Sequence, residues 1–224
     1  MATNPMQQFE VHRIGPSLSF NGVDLSFTNS SLFMLISSIL IIIFFIAGTS
    51  RVNIVPGKIQ LLNELVFNFI SKMINETVGP NARPYFPFIL TIFLFILTLN
   101  MVGLLPYAFT VTSQIIITFF LAVVIFVGVT IVGFAKNGIG FLKIFAPSGV
   151  PIFLFPIIVA IEIISFLSRP VSLSVRLFAN MLAGHTMLKV FGGFVVSLGI
   201  VGGWLPLSFS VALTALEILV AFLQ

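Results

Sequence analysis

From Ser31 to Gly48 the chain reads SLFMLISSILIIIFFIAG, eighteen residues without one ionisable group. At ~1.5 Å per helical residue such a run matches the ~30 Å hydrocarbon core of a bilayer. Two more follow, Pro84 to Leu105 (PYFPFILTIFLFILTLNMVGLL) and Gln114 to Phe134 (QIIITFFLAVVIFVGVTIVGF), and then a pair of apolar segments from about Pro151 to Phe191 and about Leu205 to Gln224. Lipid offers no partner for backbone N–H and C=O groups, so only helices and closed barrels span it. Barrel strands alternate lipid-facing and polar residues; that pattern is absent. The chain therefore reads as an all-α integral membrane protein with about five membrane-embedded helices. Composition agrees, because 58% of the 224 residues are hydrophobic and 7% are charged, whereas soluble domains carry about 25% charged residues.

These figures also exclude classes of function. A net charge of +4, confined largely to loops and unaccompanied by aromatic-basic or glycine-rich phosphate motifs, gives no footing for nucleic acid. With no cysteine, disulfides, thiol catalysis and cysteine-held metals fall away, and no cofactor motif is present. The opening MATNPMQQFEVHRIG lacks both the apolar core of a secretory signal and the Arg-rich pattern of an organellar presequence. It is expected to be bacterial, made within an organelle, or already processed.

Residues 1–30 are mixed and polar, with Pro16 and Asn21-Gly22 as turn signals, and read as an extramembrane arm. The first span covers 31–50. After a polar break containing Pro56, residues 58–78 place Leu62, Leu65, Val66, Phe69, Ile70 and Met73 at helical spacing, opposite Asn63, Glu64, Asn68, Ser71, Lys72, Asn75 and Glu76. This amphipathic pattern reads as a helix lying in the membrane interface; a water-facing helix packed on other subunits is the alternative. Residues 84–134 form a helical hairpin in which Asn100 is expected to bond a neighbouring helix. KNGIGFLK (136–143) reads as a basic loop, and Pro147, Pro151 and Pro156 stiffen the entry to the long pair at 147–224. Its first member, at some 40 residues or roughly 60 Å, is too long for a perpendicular crossing, so both are expected to tilt strongly or bend, with Pro170 as a break point. Gln224 ends the second without a cap or breaker, so the chain is expected to continue. Basic residues follow the first and third spans, whereas 106–113 and 192–206 have none; the positive-inside rule puts the N-terminus outside and the C-terminus inside.

The stretch IEIISFLSRPVSLSVRLFANMLAGHTMLK (161–189) sets ionisable groups within an apolar segment. Each costs at least ~2.5–3.5 kcal/mol at bilayer depth, which marks an ion or substrate path. Glu162, Arg169 and Arg176 recur every seven residues and drift only about 20° per step round a helix. Ser172, Arg176, Asn180 and Gly184 continue a polar, small-residue stripe at steps of four, while His185 looks the other way. The last segment has its own stripe of Ser210, Thr214, Glu217, Ala221 and Gln224. A buried salt bridge of Arg176 with Glu217 or Glu162 is one reading. The other makes Arg176, which cannot release its proton, a fixed charge, and His185, Glu162 and Glu217 the proton carriers. Arg169 and Lys189 read as structural or snorkelling groups.

The run SLSVRLFANMLAGH, with Glu162 fourteen residues before its arginine and ALEILVAFLQ at the end, resembles subunit a of F-type ATP synthases. NPMQQFE, FTNSSLFML, LLPYAFTVTS, VGVTIVGF and APSGVPI extend the resemblance over nearly the whole chain. It implies a non-catalytic, proton-conducting stator subunit beside a ring of c subunits, with peripheral-stalk and other F0 subunits and lipid as partners. Arg176 would face the ring, with Asn180 as its polar neighbour. His185 and Glu217 would line the outer half-channel, Glu162 the inner one, and Gln224 would lie near the arginine. Many bacterial members exchange the residue types at the His185 and Glu217 positions. The N-terminal arm resembles mitochondrial members, so the mitochondrial inner membrane is the expected location, with a bacterial inner membrane as the alternative. Members usually extend past this glutamine. A secondary transporter would need an internal repeat of 84–134 in 151–224, and none is visible. A structural scaffold would tolerate loss of Arg176. Ser174 and His185, roughly 16 Å apart along one helix, do not make a hydrolase pair.

Overall fold

Thr28 opens the first long helix, α1 (Asn29–Thr49): its backbone is extended and its Oγ1 accepts from the Ser31 amide at 3.4 Å. One of the amides left open at a helix start is thereby covered. The computed structural model describes residues 9–14, 19–20, 23–24, 26–50, 53–105, 108–145 and 154–224. Pro16, Asn21, Gly22, Arg51, Pro147 and Pro151 lie outside the described residues. The arm is tied to the start of α1: the Ile14 amide donates to the Phe27 carbonyl at 2.8 Å, the Asn29 amide to His12 O at 3.0 Å, and Asn29 Nδ2 to Glu10 O at 3.2 Å. Two short strands, β1 (Ser19–Phe20) and β2 (Val23–Asp24), pair antiparallel with Phe20 opposite Val23.

Among the described residues five helices are long and apolar enough to cross a membrane: Asn29–Thr49, Arg83–Gly103, Ile115–Phe145, Phe155–Gly199 and Trp204–Leu223. They correspond to α1, α3 (Phe86–Gly103), α4 (Ile115–Asn137), α5 (Phe155–Gly202, past the end of its span) and α6 (Trp204–Leu223); between α1 and α3 in sequence lies α2 (Lys58–Thr77). The expected basic loop at 136–143 is not a loop. Helix α4 runs on to Asn137 and tightens into 3-10 turns over Gly138–Phe145.

The long helix corrects another expectation. It passes through Pro170 with helical backbone and breaks instead at Gly199, where φ is +61°. Only glycine enters that region without a Cβ penalty. The uncharged stretch expected to connect the last two helices is thus helical as far as Gly199, and the turn closes where the Gly203 amide donates to Gly199 O at 3.0 Å. Gly203 suits this approach, since a Cβ there would stand 2.6 Å from that oxygen. Pro156 falls in the first turn of α5, where a missing amide costs nothing.

The chain divides into two compact units, Met1–Val111 with Leu188–Gln224, and Thr112–Met187. In the first, α2 presents three faces. Gln60, Asn63, Ile70 and Ile74 are buried; Leu62, Leu65, Phe69 and Met73 form an exposed apolar face; Glu64, Asn68, Ser71 and Asn75 point elsewhere. Asn63, expected on the polar side, is therefore a packing residue, and its Nδ2 donates to Phe44 O of α1 at 3.1 Å. Gly48 makes room for it, because a Cβ at Gly48 would collide with the Asn63 amide. Asn100 of α3 is fully buried, and its Nδ2 donates to the Ala221 carbonyl of α6 at 3.4 Å, the interhelical bond expected of it. In the second unit the rings of Phe126, Phe141 and Phe145 surround Phe166, with centroids 4.7, 6.3 and 5.3 Å away.

Replacing Gly48 by Leu forces the Asn63 side chain out of its seat and is expected to destabilise the protein by about 1–3 kcal/mol. Thermal unfolding of the detergent-solubilised variant, compared with Ile43→Leu on the exposed side of α1, checks this.

Candidate functional site

Helix α5 carries most of the suspected site residues, and its unbroken backbone from Phe155 to Gly199 fixes how they are arrayed. Pro170, Ser174, Leu177 and Met181, at steps of four, three and four, form a buried stripe along one side. Ser174 remains satisfied inside it by donating to Val171 O at 2.9 Å. Arg176 lies about 130° round the helix from the centre of that stripe, given 100° per residue, and is exposed. Glu162 and Asn180, half-buried, lie between Arg176 and the buried stripe. His185 is half-buried and sits on the other flank of the stripe. The heptad spacing of Glu162, Arg169 and Arg176 does bring them onto one side.

Arg169, on the same side, has a different environment. Its guanidinium carbon stands 5.7 Å from the centre of the Phe166 ring, the contact of a cation with an aromatic face. That is a structural role. Among the described residues no ring lies beneath Arg176, and α5 gives it no carboxylate bond: Glu162 lies fourteen residues back, about 21 Å along the axis.

Helix α6, in the other unit, shows the predicted stripe as its inward face. Pro206, Glu217 and Ala221 are buried, Ser210 and Gln224 are half-buried, and Thr214 is exposed at the margin. Glu217 is 6% exposed, so this carboxyl group is held well inside the protein. Ser210 and Thr214 turn their hydroxyls back onto Pro206 O and Ser210 O at 2.9 and 2.8 Å. Ala221 sits one turn beyond Glu217, and the Asn100 bond to its carbonyl fixes α6 at that level. Glu162, Arg176, Asn180 and His185 thus belong to one unit, and Glu217 and Gln224 to the other. The Asn100 partner left no mark in the sequence, since it is a backbone carbonyl; the isolated amide in an apolar span was the available signal. Among the described residues no group of three or more His, Asp or Glu side chains is placed to hold a metal ion.

Chemically, such an arrangement suits charge transfer rather than bond-making. On α5 the guanidinium of Arg176 stands exposed, and the titratable groups of that helix, Glu162 and His185, are roughly 35 Å apart along its axis and do not converge on one reacting atom.

Residues 31–224 match the family model described as ATP synthase A chain. The chain is 68% identical over 224 residues to the ATP synthase subunit a of Pelagibacter ubique, covering 100% of this chain and 92% of that protein. It is 50% identical over 236 residues to the subunit a of Maricaulis maris (99% and 91% covered), and 52% identical over 230 residues to that of Rhizobium rhizogenes (100% and 92%).

The cysteine-free sequence allows the two sides of α5 to be read by single substitutions. Cysteines replacing Ser172 or Arg176 are expected to react with a soluble maleimide in detergent at least about tenfold faster than cysteines replacing Ser174 or Met181. Mass-spectrometric labelling rates check it; buried sites need local opening before they react.

Proposed function

The chain belongs to the ATP synthase A chain family, and on that premise we propose that it is the stator of the F0 proton path, with Arg176 as the fixed charge facing a ring of c subunits. The observation that carries this reading is the exposure of Arg176 on the far side of α5 from its buried stripe. A guanidinium turned to lipid costs at least ~2.5–3.5 kcal/mol and cannot discharge itself by losing a proton. A neighbouring surface with carboxylates removes that cost. Its small and polar flank, Ser172, Asn180 and Gly184, permits close approach of another helix.

In this reading protons enter from the outer side past His185 and Glu217, reach a ring carboxylate, travel with the ring, and leave past Glu162. Asn180 and Gln224 supply polar contacts along the way. Arg176 favours the ionised ring carboxylate, lowering its pKa by the opposite-charge effect, and so makes it release its proton there. A protonated, neutral ring site can enter lipid and an ionised one cannot, so rotation acquires a direction. Each proton crossing 100 mV contributes ~2.3 kcal/mol. The chain makes no covalent bond itself; ATP forms elsewhere in the complex.

The setting follows from the same premise. Helix Phe155–Gly199, with 45 residues, is about 67 Å long against a ~30 Å hydrocarbon core, which calls for a strong tilt or ends that project. Helix α2 lies in the interface with its exposed apolar face in lipid. The ring, the peripheral stalk and other F0 subunits are the protein partners. The relatives named above are bacterial, which supports a bacterial inner membrane, the alternative location, over the mitochondrial one expected from the N-terminal arm.

In the assembled complex reconstituted into vesicles, Arg176→Ala is expected to reduce ATP synthesis to background while leaving passive proton conductance. Retained coupling in that variant, or full activity in Arg176→Leu as a scaffold would allow, overturns the reading. Glu162→Gln is expected to slow proton release with assembly intact, seen as reduced turnover at a fixed driving force; unchanged turnover removes Glu162 from the path.

A further inference from the structure

Between α2 and the start of α3 the chain forms a cleft of about 360 Å³ that the proton path does not use. We propose that it seats the phosphate of an anionic phospholipid, with Arg83 as the cationic contact. Phe67, Ser71 and Asn75 line it from α2, and Arg83, Phe86 and Pro87 from the entry to α3. The Phe67 and Phe86 rings, 4.6 Å apart between centroids, form a tilted aromatic pair at its wall. Among the described residues that line it, one guanidinium, one hydroxyl and one amide stand in an otherwise apolar recess, the pattern by which a site fixes a small polar group against a hydrophobic body.

Three observations point to a lipid phosphate. The first is charge: an arginine fork matches phosphate oxygens in a bidentate manner, and the carboxylates of α2 are engaged elsewhere. Glu64 accepts from Gln60 Nε2 at 2.8 Å, and Glu76 stands 3.9 Å from Lys72 Nζ. The second is depth: Arg83 is the first residue of the apolar segment Arg83–Gly103, and the end of a span is the level of lipid headgroups. The third is the lining. Phe67, Phe86 and Pro87 have nothing to offer a free phosphate ion, but they suit the root of an acyl chain running on beside α3. The proposal rests on α2 lying at the membrane surface, not on the proton path through Arg176.

The intact complex, reconstituted in phosphatidylcholine containing a trace of phosphatidylglycerol with a photoactivatable group near its headgroup, tests this directly. Adducts are expected in peptides covering 67–87. They should fall about fivefold in Arg83→Gln, the change expected from losing one basic contact at a membrane surface, and persist in Arg83→Lys and in the uncoupled Arg176→Ala complex. Ser71→Leu, which fills the recess and keeps the cation, should reduce them as well, and serves if Arg83→Gln fails to assemble. Labelling unaffected by both Arg83→Gln and Ser71→Leu overturns the proposal. So does equal labelling by photoactivatable phosphatidylcholine, displacement by excess inorganic phosphate, or a cleft occupied by a neighbouring polypeptide to which residues 67–87 cross-link instead.

Discussion

A hydrocarbon interior neither solvates a charge nor hydrogen-bonds a backbone, and each main feature of this molecule answers that restriction. Helices α1, α3, α4, α5 and α6 close their backbone bonds internally. Hydroxyls within them are directed to carbonyls a turn back, as Ser37 to Phe33, Thr130 to Phe126 and Thr186 to Leu182, at 2.9, 2.7 and 2.6 Å. Among the described residues, the guanidinium of Arg176 lies on an exposed side of one of these apolar helices. Unlike a carboxyl or imidazole it cannot become neutral, so it needs another surface. The functional proposal is the consequence of that need, set in the family to which the chain belongs.

Packing within the first unit uses small residues and single side-chain-to-backbone bonds instead of a broad apolar core. Lipid is as apolar as leucine, so burying leucine between helices gains little; close approach and hydrogen bonding contribute more. Asn63 over Gly48, Thr110 bonded to Gly103 O at 3.3 Å, and Asn100 bonded to Ala221 O are three instances. The many exposed leucines, isoleucines and phenylalanines are the lipid-facing counterpart. In the second unit aromatic rings pack together, and there Phe166 meets both its neighbouring rings and Arg169. Two arginines seven residues apart thus differ in surroundings among the described residues: Arg169 rests on a ring, and Arg176 is exposed with no ring contact.

Helix length is the other organising quantity. By continuing through Pro170 to Gly199, α5 keeps Glu162, Arg176, Asn180 and His185 on one rigid rod, so their angular relations are fixed by helical geometry. A break at Pro170 would have separated Glu162 from the rest. Instead the chain turns at two glycines, Gly199 with positive φ and Gly203 against its carbonyl, without a long connection. The proton-path proposal draws on this rigidity, because offset half-channels need titratable groups held at fixed heights.

The sequence by itself determined the class of the protein, the positions of its spans and the common side of Glu162, Arg169 and Arg176, because length against bilayer thickness and the 100° helical step depend on local order alone. It also flagged Asn100, since an amide in an apolar span needs a partner. Only the tertiary structure decided that Ala221 is that partner, that Asn63 packs inward over Gly48 while Leu62 and Leu65 face out, and that the break falls at Gly199 and not at Pro170. Those outcomes turn on backbone carbonyls, on space left by an absent Cβ, and on neighbours that absorb the cost of a proline within a helix. None of these has a signature in the order of the residues.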